Sequence, residues 1–194
     1  FVARQWIRHR TANVNEYSAR YSILDREFYI PEVDALAAQS VINNQGRGKA
    51  LSGEEAERVL RYLRDDATRC YDHYEEMISD DGQLGLAREL ARMNLPANIY
   101  TQWYWKIDLH NLFNFLRLRA DKHAQYEIRV YAEIISDIVQ KWVPKAYQAF
   151  LDYQMNSIHL SKQAVDCLKK KIKGDKGAKK IIRRNKHKLY FIKN

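Results

Sequence analysis

"NIYTQWYWKIDLHNLFNFLRLR", Asn98 to Arg119, changes its period partway along. Asn98 to Ile107 is rich in aromatic and β-branched residues and predicts a strand. Asp108 has the side chain of an N-cap, and Leu109, Leu112, Phe113 and Leu116 then recur at helical spacing. His110, Asn114 and Arg117 fall on the opposite side of that helix. Arg119 falls at the edge of the apolar stripe, near the helix end. A strand that runs straight into a capped helix is the hinge of the fold.

Outward from this point the pattern alternates unevenly. Downstream, Tyr131, Ile134, Ile135, Ile138, Val139 and Trp142 predict the core face of a long helix. Pro144 interrupts or restarts it, and a helix of "KAYQAFLDYQM" type follows. Upstream, Pro96 stops a short helix expected from Leu84 to about Asn94. A turn at "SDDGQ" precedes it. Ser52 and Glu55 form a capping box for a helix whose stripe includes Val59, Leu60, Leu63, Ala67, Cys70, Tyr71, Tyr74, Met77 and Ile78. "EFYIP", Glu27 to Pro31, reads as a short strand ended by proline, and Phe1 to Trp6 as another. After Pro31 a polar loop is expected, through "QSVINNQGRGKA", Gln39 to Ala50. There Gly46 and Gly48 flank Arg47, which suits either an anion-contacting loop or a plain surface loop. The order strand, strand, helices, strand, helices predicts an α+β fold: an antiparallel or mixed β-sheet core packed with long helices. Because the chain opens in what reads as mid-strand, a preceding N-terminal part is expected.

The 194 residues include 46% hydrophobic and 12% aromatic types, enough for one sizeable core and unlike a disordered chain. No apolar run approaches the roughly 20 residues of a membrane-spanning helix, and the first residues do not resemble a secretory signal. Cys70 and Cys167 are far apart and form no CxxC pair. They fit a reducing cytosol and argue against a disulfide framework or a zinc site. A cytoplasmic location and a buried helix position for Cys70 are the expectations. The net charge of +9 belongs to the tail. From Leu168 onward there are ten Lys, two Arg and one Asp, which leaves 21 cations and 23 anions for the rest. Residues 161–194 are therefore read as a basic extension of a nearly neutral domain over residues 1–160. Its lysines give weak, salt-sensitive affinity for nucleic acid, and a nucleic-acid-binding protein is the alternative to an enzyme. In that case deleting the tail abolishes the main activity.

Arg8, His9 and Arg10 stand side by side, and Glu16, Ser18 and Arg20 follow closely. If the triplet lies on a strand, Arg8 and Arg10 share one face and His9 takes the other. Guanidinium forks bind phosphate oxygens bidentately, but a basic strand can also be merely solvated. The wider string decides. "RHR", seven residues and then Ser18 resembles the signature of the flavin-dependent thymidylate synthases. "FVARQW", "NEYSARYS", "EFYIP", "LPANIYTQWYW" and "NLFNFLRLRADKHAQYEIRVYA" resemble further blocks in the family's order. The likeness covers most of Phe1 to about Leu151. Asn13 and Ala19 depart from residues common in the family, and the N-terminal segment with its flavin-contacting cluster has no counterpart here.

The resemblance implies FAD-dependent methylation of dUMP to dTMP. Methylenetetrahydrofolate is the carbon donor, NADPH the reductant, and the assembly a homotetramer with active sites at subunit interfaces. By the same resemblance Arg8, His9, Arg10, Glu16, Asp108, His110 and Asn114 hold the flavin. Gln5, Arg8, Glu16, Ser18, Ala19, Arg20, Arg92 and Arg119 hold the nucleotide, with Arg92 reaching it from another subunit. Arg119 matches the family arginine at the pyrimidine and is the expected catalytic residue. Fixed charge there stabilises negative charge developing on the ring. Taken alone, Arg119 reads as an ion-pair partner of Asp121, Arg92 as a helix-surface arginine, and Asp108, His110 and Asn114 as a cap and a solvated face. Ser18 has no base near it in sequence and is read as a positioning group. His123 is expected in the core.

Overall fold

The computed structural model describes residues 1–41, 46–79 and 84–171. Its elements in chain order are α1 (Val2–Trp6), β1 (Ala12–Glu16), β2 (Ala37–Gln39), β3 (Arg47–Ala50), α2 (Gly53–Ile78), α3 (Arg88–Ala91), β4 (Trp103–Ile107), α4 (Leu109–Arg119), α5 (Tyr126–Trp142), α6 (Pro144–Phe150) and α7 (Lys162–Lys171). Short 3-10 turns follow β1 and α3, at Val33–Ala35 and Arg92–Asn94, and one π-helical turn follows α6 at Leu151–Met155. Two small antiparallel sheets, β1–β4 and β2–β3, stand among long helices, so the class is α+β. Most of the turn expected at "SDDGQ" (80–83), residues 42–45 of the expected polar loop, and the tail beyond Lys171 lie outside the described residues.

The change of period at Ile107 is real. β4 ends there, and the Asp108 carboxylate accepts the Asn111 backbone N–H at 3.0 Å, which caps α4. Leu112, Phe113, Phe115 and Leu116 of α4 are buried. The capping box of α2 is also present. Ser52 Oγ accepts the Glu55 N–H at 3.4 Å, and the Ser52 N–H donates to Glu55 Oε2 at 3.0 Å. Ala56, Leu60, Ala67, Tyr71 and Tyr74 make its buried stripe, with Cys70 half-buried beside them. Tyr71, Tyr74 and Ala91 form a core cluster that Phe28, Met77, Leu86, Leu95 and Ile99 cover.

Several expectations need correction. Phe1 to Trp6 is not a strand: Val2–Trp6 is the helix α1. Trp6 packs against Trp105, Phe115 and Tyr131 at ring distances of 5.3, 5.1 and 5.5 Å. Aromatic enrichment reports a half-buried surface, and a short helix meets that demand as well as a strand does. The strand lies later, at β1, which pairs with β4 from Ala12↔Ile107 to Glu16↔Trp103. Glu27–Pro31 contributes only a single bridge, Phe28↔Ile99. Residues 98–102 precede β4 without joining its ladder. The helix expected from Leu84 to Asn94 shrinks to α3 and the 3-10 turn behind it.

The polar loop is instead the β2–β3 hairpin. Gly48 allows its two strands to approach, since a Cβ there would lie 3.1 Å from the Gln39 carbonyl oxygen. On α5 the buried side chains are Glu127, Ile128, Ala132 and Val139. Tyr131, Ile134, Ile138 and Trp142 face solvent, Trp142 with 67% of its surface exposed. The helix is apolar on more than one side, so periodicity could not choose its core face. His123 is exposed rather than in the core, and its ring bonds Asp121 at 2.8 Å.

The chain divides into two compact units, Phe1–Gln148 and the part from Ala149 onward. In the second, the Asn156 N–H reaches back to the Leu151 carbonyl at 2.9 Å and closes the π turn. Ser161 Oγ accepts the Ala164 N–H at 3.2 Å at the start of α7.

Candidate active site

Helix α1 ends in a turn that sets the first group of side chains. The Arg8 N–H donates to the Gln5 carbonyl at 3.2 Å and the His9 N–H to the Trp6 carbonyl at 3.0 Å. Arg8, His9 and Arg10 therefore lie on this turn and not on a strand. The turn still separates them: His9 is half-buried while Arg8 and Arg10 are exposed. The His9 ring stands edge-on to Phe115 with centroids 4.9 Å apart. Its Nε2 accepts Arg119 Nε–H at 3.0 Å. Burial and then the Arg119 charge hold the His9 pKa below its ordinary 6.5, so the ring is a neutral acceptor. Burial also lowers Arg119, which remains charged at neutral pH. Arg119 thus pairs with His9, while Asp121 pairs with His123. Among the described residues, the guanidinium groups of Arg8 and Arg10 have no partner.

The ladder brings a second segment to the same end. Ala12 faces Ile107, so Arg10 and Thr11 leave the ribbon beside Asp108 and Leu109. Hydrogen bonds from Asn111 hold the Asp108 carboxyl below the usual range, which fits its role as a cap. Asn114 Oδ1 accepts from Arg117 at 2.9 Å, and His110 is exposed on the same side.

Glu16 stands at the other end of the ribbon, opposite Trp103, roughly 14 Å away at about 3.4 Å per residue. Its carboxylate accepts from Thr101 Oγ at 3.0 Å. Here a cleft of about 480 Å³ is walled by Glu16, Ser18, Ala19 and Arg92, and also by Arg4. Ser18 Oγ accepts the Arg20 backbone N–H at 3.2 Å. The Arg20 guanidinium pairs with Glu89 at 2.9 Å, and Arg92 Nε–H donates to the Glu89 carbonyl at 3.3 Å. Arg4 was not expected. It lies four residues ahead of "RHR" in a segment read as a strand, and only its helical turn aims it at this cleft.

Within one chain, then, the candidate residues fall into two groups at opposite ends of β1–β4. Gln5, Arg8, His9, Arg10, Asp108, His110, Asn114 and Arg119 do not line the cleft. A larger cavity of about 590 Å³ holds none of the candidate residues. It is lined by Trp6, Tyr29, Trp103, Trp105, Tyr126 and the carboxylate-bearing Glu127, among others. Among the described residues no group of three or more His, Cys, Asp or Glu could hold a metal ion, and no helix is long and apolar enough to cross a membrane.

Two clusters of cations and polar groups thus stand on an α+β scaffold. A family model described as "Thymidylate synthase complementing protein" matches residues 1–145. A flavin-dependent thymidylate synthase from Ruegeria pomeroyi is 71% identical over 175 residues, covering 90% of this chain and 58% of that protein. One from Rickettsia conorii is 56% identical over 185 residues, covering 91% and 63%. The chain thus spans about three-fifths of the length of these relatives. Among solved structures, a UMP/dUMP methylase PolB from Streptomyces cacaoi bound with 5-Br dUMP is 28% identical with a TM-score of 0.70, over 81% of this chain and 69% of that one. The same methylase bound with 5-Br UMP gives 29% and 0.73, over 81% and 71%. The chain belongs to the thymidylate synthase complementing protein family, the family of the flavin-dependent thymidylate synthases.

Proposed function

We propose that this chain methylates dUMP to dTMP in an FAD-dependent reaction, with methylenetetrahydrofolate as carbon donor and NADPH as reductant. One observation carries the reading. The Arg119 guanidinium is half-buried and held through Nε by a neutral histidine, with its terminal nitrogens left over. A planar fork oriented in this way suits the N3/O2 edge of a pyrimidine. Its fixed charge stabilises the negative charge that makes C5 nucleophilic.

The residues present fit a flavin dinucleotide. FAD and dUMP together bring three phosphates, and Arg8 and Arg10 offer two unpartnered forks at the Arg119 end. His9, Asp108, His110 and Asn114 border that end, and Glu16 approaches the flavin from the other. When bound, the flavin supplies hydride. The chain's own residues grip the ligands and steady charge. Gln5, Arg8 and Arg119 hold the nucleotide from one side, and Glu16, Ser18, Ala19, Arg20 and Arg92 from the other. The Arg20–Glu89 pair is half-exposed on both sides and so worth little; a phosphate can replace the carboxylate.

The two groups stand toward opposite ends of the β1–β4 ribbon, and the resemblance, in which Arg92 reaches the nucleotide from another subunit, supports a site assembled from more than one copy. The apolar face of α5 supports a homotetramer, because a stripe of Tyr131, Ile134, Ile138 and Trp142 favours burial. The test is turnover of dUMP with methylenetetrahydrofolate, NADPH and FAD. Arg119→Ala is expected to lose ~10²–10³ in kcat while nucleotide binding is partly kept. Undiminished turnover in that variant sinks the assignment.

A further inference from the structure

Helix α1 shows different sides to the two cavities. Val2 and Trp6 line the larger one. Arg4 and Ile7, three residues apart and so neighbours on a helix, wall the cleft at the Glu16 end of the ribbon. The backbone there is already bonded within the helix, since the Arg4 N–H donates to the Phe1 carbonyl at 3.2 Å and the Ile7 N–H to the Ala3 carbonyl at 2.9 Å. What α1 presents to the cleft is therefore side chains, and Arg4 brings the charge. Arg8, one turn on, does not line the cleft.

The other polar walls of the cleft have partners and spare capacity. The Glu16 carboxylate accepts from Thr101 Oγ at 3.0 Å. Ser18 Oγ accepts the Arg20 N–H at 3.2 Å, which leaves its own O–H to donate. Arg92 donates through Nε to the Glu89 carbonyl at 3.3 Å, and its terminal nitrogens are left over. Arg4 is exposed, and its guanidinium has no hydrogen-bond or ion-pair partner among the described residues. Two guanidinium groups thus face one carboxylate across the cleft walls. A phosphate monoester carries about −1.5 to −2 charges at neutral pH and suits that imbalance. Guanidinium forks grip its oxygens bidentately. Glu16 can only accept, so it suits a sugar hydroxyl and not the phosphate.

We propose that Arg4 is a further substrate-binding residue, which holds the 5′-phosphate of the nucleotide in the cleft of Ser18, Ala19 and Arg92. The proposal rests on the function given above. It adds a cation from α1 to a group of residues that otherwise comes from the end of β1 and from the turn after α3.

Equilibrium binding to the flavin-loaded enzyme tests this, with dUMP set against deoxyuridine, which lacks the phosphate. Arg4→Gln is expected to weaken dUMP roughly ten- to a hundredfold and to leave deoxyuridine unaltered. Arg4→Lys keeps the charge without the fork and is expected to fall between Arg4→Gln and wild type. Added salt is expected to weaken dUMP less steeply in Arg4→Gln than in wild type. Because Arg4 is exposed, equal urea midpoints are expected for all three proteins. Unchanged dUMP affinity in Arg4→Gln overturns the proposal. So does an equal loss for dUMP and deoxyuridine, which a structural role would give, or a salt dependence no shallower than that of wild type. A loss confined to FAD overturns it as well and moves Arg4 to the cofactor. If the wild type binds neither dUMP nor deoxyuridine, the functional reading fails by itself. Arg4 is then read with inorganic phosphate, whose phosphorus NMR line is expected to be broadened less by Arg4→Gln than by wild type. Equal broadening, or none by either protein, overturns the anion contact.

Discussion

His9 shows how one hydrogen bond sets the chemistry of two residues. Its ring is a neutral acceptor because burial and the Arg119 charge both disfavour the imidazolium. Folding therefore weakens its hold on a proton. The unfolded chain binds that proton first as pH falls below about 6.5, so this contribution to stability is present above that pH and is lost on acidification. Wild type is expected to lose urea resistance relative to His9→Gln as pH drops from 7.5 to 5.5; parallel profiles would contradict this. In Arg119→Ala one of the two causes is gone. The His9 ring proton in an NMR titration is expected to move up toward the ordinary value. A midpoint that stays put would mean that Arg119 does not set it. The pairing itself was not legible in sequence. His9 and Arg119 are 110 positions apart, and Asp121 was the nearer candidate for Arg119.

At the scale of elements, α4 does double duty. Its capped start at Asp108 and its buried row place Phe115 in the core, where the ring meets Trp6, Trp105 and His9. Phe115→Ala is expected to cost roughly 3–5 kcal/mol in urea unfolding and to loosen His9 as well. A loss below about 1 kcal/mol would show that the ring is not a core member. Elements with a local signal were legible: α2 through its capping box and stripe, α4 through its cap and period. Elements made by pairing were not. β1, with Asn13, Asn15 and Glu16, has little β propensity of its own and exists because β4 lies beside it. The β2–β3 hairpin is similar, and only its Gly48 gave a hint.

For the whole molecule the question is what faces α5 and what completes the site. Ile138→Glu on the exposed stripe is expected to reduce the mass measured by light scattering and to lower turnover with it. An unchanged mass would remove α5 from the interface. A sharper test follows from the two separated groups of residues. Arg119→Ala and Arg92→Ala chains, each inactive alone, are expected to regain part of the activity when mixed and reassembled, since some shared sites then receive both native arginines. If the mixture stays as inactive as its parts, each site is built from a single chain.

The sequence by itself determined the α+β class, the capped helices and the family, because caps, periods and short motifs are local and survive without neighbours. Only the tertiary structure decided that Phe1–Trp6 coils into a helix, which face of α5 is buried, that Arg119 grips His9, and that Arg4 walls the cleft with Ser18. Each of these depends on contacts between distant segments, where packing and the shared burial of polar groups outweigh the preference of any one stretch.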